Sequence, residues 1–109
     1  MVKPGDVVTV DFPGALGLKR RPAVVVSTDT YHTTRPDIVL GLLTSNTTVA
    51  VGPTDYILQD WSTAGLHSST AFRVFLATLP ASNVVVIGHL SDHDWQEVRA
   101  RLRVALAVT

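Results

Sequence analysis

Hydrophobic residues recur in short runs broken by glycine and proline, a pattern that predicts β-strands along most of the chain. In Asp6-Val7-Val8-Thr9-Val10-Asp11-Phe12, alternation sets Val8, Val10 and Phe12 on one face and Val7, Thr9 and Asp11 on the other. Residues 13–21, PGALGLKRR, read as a loop ending in three consecutive cations. Ala23-Val24-Val25-Val26-Ser27 is continuously apolar rather than alternating, which predicts a strand covered on both faces. The polar stretch Ser27 to Pro36 reads as an irregular connection. A third strand follows over Asp37 to Thr44, with Gly41 marking a bend or bulge. Further strands are expected over Thr54 to Leu58, Thr70 to Leu79 and Val84 to His89, with a turn or short helix near Gly65 to Ser69.

One helix stands out at the end. Ser91 is placed to cap it, and Asp92 and Asp94 fall in its first turn, where the helix dipole favours negative charge. Trp95, Val98, Leu102 and Ala105/Leu106 form its apolar stripe. The expected architecture is mainly β (β+α): a twisted antiparallel sheet or barrel carrying one C-terminal amphipathic helix, as a single domain over residues 1–109.

Composition narrows the function. The chain has 9 Lys+Arg and 9 Asp+Glu, so it is neither a strongly basic nucleic-acid coat nor a polybasic membrane binder. The charge is uneven, however: residues 1–36 carry five cations and three anions, whereas residues 37–70 carry three anions and no Lys or Arg. With 0 Cys, disulfide scaffolds, zinc ribbons and thiol nucleophiles are excluded. The start lacks a basic flank followed by an apolar run, and no apolar stretch approaches the roughly 18 residues of a membrane helix. A cytoplasmic protein is expected.

Three places carry candidate chemistry. Arg21 precedes Pro22 at the mouth of a buried strand, so its backbone angle is restricted and its guanidinium can be aimed at a phosphate; a solvated cationic loop is the plainer reading. Thr44 and Ser45 stand where the third strand runs out, either as donors to a phosphate or 2′-hydroxyl or as caps of the turn through Asn46. Arg73 is a lone cation in an apolar strand and needs a partner or a route to the rim. His89, Asp92, His93 and Asp94 resemble a metal cluster, but they straddle a strand end and a helix start; capping explains them better, and no metal or other cofactor is assigned.

Read together, these segments resemble the MazF/PemK (Kid-like) toxins of type II toxin–antitoxin systems. Pro4-Gly5-Asp6-Val7-Val8-Thr9-Val10-Asp11-Phe12 is similar to that family's first strand. Arg21-Pro22-Ala23-Val24-Val25-Val26-Ser27 is similar to its Arg-Pro-hydrophobic strand, and Leu42-Leu43-Thr44-Ser45 to its strand ending in Thr-Ser. Ile87-Gly88-His89-Leu90-Ser91-Asp92 is similar to its closing turn. The resemblance implies an SH3-like barrel with a C-terminal helix, usually a homodimer, and metal-independent cleavage of single-stranded mRNA that halts translation. It implies a cognate antitoxin whose acidic tail lies over the RNA groove. Carried over by position, Arg21, Thr44 and Arg73 become the catalytic residues, and Lys19, Arg20 and Ser45 the further RNA contacts. Phe75 stands where members similar to Kid carry an Asp placed as a base; His32 and Asp11 are conceivable substitutes, and no general base is assigned. Two alternatives stay open: a non-enzymatic CcdB-like toxin that binds gyrase, and a weak member that mainly binds its antitoxin.

Overall fold

The computed structural model describes residues 1–14 and 17–108, without the side chains of residues 12 and 13. Its strands are β1 (Asp6–Gly14), β2 (Gly17–Val25), β3 (Asp37–Thr44), β4 (Asp55–Ile57), β5 (Ala71–Pro80) and β6 (Val84–His89). Two α-helices accompany them, α1 (Asp29–Thr34) and α2 (Asp92–Ala105). The strands form one curled antiparallel sheet in the order β4-β5-β3-β2-β1-β6, a half-barrel with α2 on one side.

Alternation along the central strands builds two cores. Val7, Val24, Leu43, Phe72, Leu90 and Val98 pack on the helix side, with Trp95 and Leu102 of α2 against them. Val8, Val10, Ala23, Val25, Ile38 and Leu40 pack on the other side under Val2, Leu79 and Val84. The expectation that the Ala23–Ser27 run is a strand covered on both faces therefore holds through Val25, which is where the strand ends. The Phe12 side chain, expected beside Val8 and Val10, lies outside the described residues.

Two expected connections are instead regular structure. Residues 13–21 are not a loop: β1 and β2 pair from Val7 opposite Val24 to Gly14 opposite Gly17, so the three cations lie within a strand. Ala15 and Leu16, read as part of that loop, lie outside the described residues. Ser27 to Pro36 contains α1, whose first turn is capped by Thr28 Oγ1 accepting from Tyr31 N–H at 3.3 Å. None of its residues is buried, so it carries no apolar stripe for a sequence pattern to find.

At α2 the expected cap is present. Ser91 Oγ accepts from Asp94 N–H at 3.1 Å and donates to Asp60 Oδ2 at 2.7 Å. Asp94 is fully buried and serves as a clasp. Its carboxylate accepts from Tyr56 Oη at 2.5 Å, Gln59 N–H at 3.0 Å and Asp60 N–H at 2.8 Å, tying the helix start to the segment after β4. Burial, and then this carboxylate, push the Tyr56 phenol well above the usual tyrosine range, so its O–H stays a donor. His89 is engaged elsewhere, with Nδ1 2.8 Å from Asp6 Oδ1. The apparent His/Asp cluster at 89–94 is thus a helix start and a strand-end contact.

Candidate functional site: a cavity across four strands

The ladder between β2 and β3 sets Ala23 opposite Leu42 and Val24 opposite Gly41. Continued by two residues, that register places Thr44 opposite Arg21, and side chains directly opposite each other point to the same face. Both line a cavity of about 590 Å³. No hydrogen bond joins them; what they share is the wall. Thr44 Oγ1 accepts from Asn46 N–H at 3.1 Å, which leaves the hydroxyl proton available to another acceptor.

β5 supplies the far wall through an irregularity. Gly41 pairs with Leu76 and Leu43 with Phe72, so Leu42 alone faces Arg73, Val74 and Phe75. The surplus residues bulge out of the ladder, and all three line the cavity. Gly41 permits this arrangement, because a Cβ there would stand 2.4 Å from a ring carbon of the buried Phe72. The bulge leaves Phe75 62% exposed.

Arg73 has a partner. Its Nε donates to Asp55 Oδ1 at 3.2 Å, directly across the β4–β5 pair. Asp55 Oδ2 accepts from Gly52 N–H at 3.0 Å. That backbone hydrogen bond, with the Arg73 guanidinium adding to it against the opposing effect of burial, holds the Asp55 carboxyl below its ordinary range. Asp55 escaped the sequence reading. Its relation to Arg73 depends on the register of a strand only three residues long, and nothing local announces that.

Arg21 differs from its neighbours. Side chains alternate along β2, so Arg20 leaves on the opposite face from Lys19 and Arg21. Arg20 Nε lies 3.3 Å from Asp11 Oδ1, and Nη1 donates to Thr9 Oγ1 at 3.2 Å. Lys19 and Ser45 are exposed. None of Lys19, Arg20 and Ser45 lines the cavity, whereas Arg21, Thr44 and Arg73 all do. Arg21 is half-buried, and among the described residues it has no ion pair and no side-chain hydrogen bond.

The conceivable bases lie elsewhere. Asp11 is engaged by Arg20. His32 Nε2 lies 2.6 Å from Ser27 Oγ, and His32 lines a separate cavity of about 410 Å³ with Arg35 and Ile38. Among the described residues, the ionisable lining of the larger cavity is Arg21, Asp55 and Arg73. This arrangement can grip a phosphate. It offers one unpaired guanidinium, one free hydroxyl proton and a second guanidinium held by a carboxylate.

Comparison with known proteins bears on the family and the fold. The family model described as PemK-like, MazF-like toxin of type II toxin–antitoxin system matches residues 3–106. No curated protein matches significantly by sequence. Among solved structures, an endoribonuclease in complex with its cognate antitoxin from a mycobacterial species superposes with a TM-score of 0.81 at 18% identity, covering 100% of this chain and 98% of the other. A MazE–MazF complex from Deinococcus radiodurans gives 0.77 at 22% identity, covering 99% and 98%. The Mycobacterium tuberculosis toxin MazF-mt6 gives 0.72 at 13% identity, covering 92% and 94%. At these identities the likeness is one of fold.

Proposed function

The chain belongs to the PemK-like, MazF-like toxin family of type II toxin–antitoxin systems, and from that premise we propose that it is a metal-independent endoribonuclease that cuts single-stranded mRNA at the Arg21 cavity. The observation that carries the reading is the unpartnered, half-buried guanidinium of Arg21 sharing a wall with the Thr44 hydroxyl. A partly buried cation without a counter-charge among the described residues is poised to accept one, and an incoming phosphate supplies it.

In the proposed reaction the ribose 2′-oxygen attacks the adjacent phosphorus and the bond to the 5′-oxygen breaks. The products are a 2′,3′-cyclic phosphate and a 5′-hydroxyl. Negative charge builds on the phosphoryl oxygens at the transition state. Arg21 stabilises it there and hydrogen-bonds the leaving 5′-oxygen, which takes its proton from water, while the Thr44 hydroxyl holds a non-bridging oxygen. Arg73, anchored by Asp55, adds a second positive charge. Asp55 is a poor base, because its carboxylate is already engaged and held below its ordinary range. The 2′-hydroxyl proton passes to water, and the site acts chiefly by electrostatics. The need for a 2′-hydroxyl selects RNA over DNA.

The test is incubation with a long single-stranded RNA in EDTA, followed by analysis of the ends. Cyclic phosphate and 5′-hydroxyl termini, with no cutting of the same sequence in DNA, are expected. Intact RNA at high enzyme concentration contradicts the reading.

The proposed partners are a second copy of the chain and an antitoxin whose acidic tail competes with RNA for this cavity. Val85, Val86 and Ile87, three exposed apolar residues on edge strand β6, support a homodimer. A non-enzymatic, CcdB-like reading rests on Val104, Leu106 and Val108, which are exposed at and beyond the end of α2. Removing residues 104–109 would abolish toxicity on that reading and leave it intact on the nuclease reading. Among the described residues no helix is long and apolar enough to cross a membrane, and the proposed site of action is the cytoplasm, where mRNA is translated.

A further inference from the structure

Phe75 has no structural reason to be where it is. It belongs to the apolar run of β5, yet the bulge turns it outward, 62% exposed, into a cavity otherwise lined by charged, polar and aliphatic side chains. Among the described residues it is the sole aromatic in that lining. The backbone that carries it is anchored on both sides: Phe72 is packed against Gly41 at one end of the bulge, and Leu76 pairs with Gly41 at the other. Arg73, its companion in the bulge, holds positive charge beside it.

An exposed aromatic face next to phosphate-binding cations is the arrangement that receives a base of a single strand, because each base has a π-face and unpaired bases are free to stack. We propose that Phe75 is the stacking platform for an unpaired base next to the scissile phosphate, and so sets affinity and base preference. The role rests on the reading of the cavity as an RNA site. It turns the position from a proton-transfer place into a recognition place.

The probes are short 2′-fluoro oligo(A) and oligo(U), which lack the attacking hydroxyl and are not cut. Binding is followed by fluorescence anisotropy, with cleavage of a long RNA in EDTA measured in parallel. Loss of one stacked base costs about tenfold or more in affinity. Phe75→Ala and Phe75→Leu should both weaken binding by that factor and narrow the preference for oligo(A), since purines stack more strongly. Phe75→Trp should retain both. Phe75→Leu is the decisive control, because it keeps apolar bulk without a π-face.

Unchanged binding in Phe75→Ala, or wild-type binding in Phe75→Leu, overturns the assignment. So does failure of the wild type to bind either probe. If Phe75→Ala instead shifts the sedimentation of the wild-type assembly while RNA affinity stays put, Phe75 is a protein contact and the proposal fails. Binding through Phe75 without cleavage by the wild type leaves the stacking role standing and removes the nuclease. Cleavage with equal KM in wild type and Phe75→Ala does the reverse.

Discussion

Lys19, Arg20 and Arg21 are adjacent in the chain but have different fates. Arg20 is paired with Asp11, Lys19 is solvated, and Arg21 alone enters the cavity. Strand parity turns Arg20 away from the cavity, and position along β2 leaves Lys19 outside its lining; a run of three basic residues reveals neither until the strand is known to include them. The Arg73–Asp55 pair carries a pH signature. A carboxyl whose folded pKa is depressed contributes stability that is present above its unfolded value of about 4 and is lost as pH falls through the folded value. Asp55→Asn removes that contribution. The melting temperature of the wild type should therefore exceed that of Asp55→Asn at neutral pH, and this Asp55-linked part of the gap should shrink as the pH drops below about 4. A gap that widens in acid would show that the carboxyl is not held below its ordinary range.

The β3–β5 ladder and the start of α2 are the elements that position the cavity. Gly41 was legible as an irregularity, because a lone glycine in an apolar strand signals one. That the irregularity is a bulge carrying Arg73, Val74 and Phe75 was not legible, since it depends on the pairing of Gly41 with Leu76 and Leu43 with Phe72, far apart in the chain. Gly41→Ala places a methyl against the Phe72 ring and should lower stability by about 1–3 kcal/mol in chemical denaturation. At α2, the cap and apolar stripe were readable because Ser91, the first-turn acids and the Trp95–Val98–Leu102 spacing all agree. The buried clasp was not, because Asp94 looks like any first-turn acid until Tyr56 and the 59–60 backbone converge on it. Asp94→Asn replaces one acceptor oxygen with a donor facing Asp60 N–H, and should cost about 1–3 kcal/mol, read in the same way. The hairpin through Gly14 and Gly17 was hidden by its own breakers. Helix α1 was hidden by its lack of any buried residue.

The strand order β4-β5-β3-β2-β1-β6 brings together residues from four strands whose positions in the chain run from 21 to 75. Order and spacing of the motifs along the chain were enough to identify the family, whereas the carboxylate anchor and the aromatic wall required the folded sheet. The same topology explains how a chain of formal net charge +0 presents a cationic cavity: Asp11, Asp37 and Glu97 neutralise Arg20, Arg35 and Arg101 away from it, and Arg21 is left without a counter-charge among the described residues. The most direct measurement is single-turnover cleavage of one RNA in EDTA by the wild type and by Arg21→Ala, alongside the melting temperatures of both. Arg21→Ala should cut about 10²–10³-fold more slowly, the usual loss for one preorganised transition-state donor, with melting unchanged or slightly raised because no intramolecular partner is lost. Equal rates for the two proteins would contradict the assignment of Arg21.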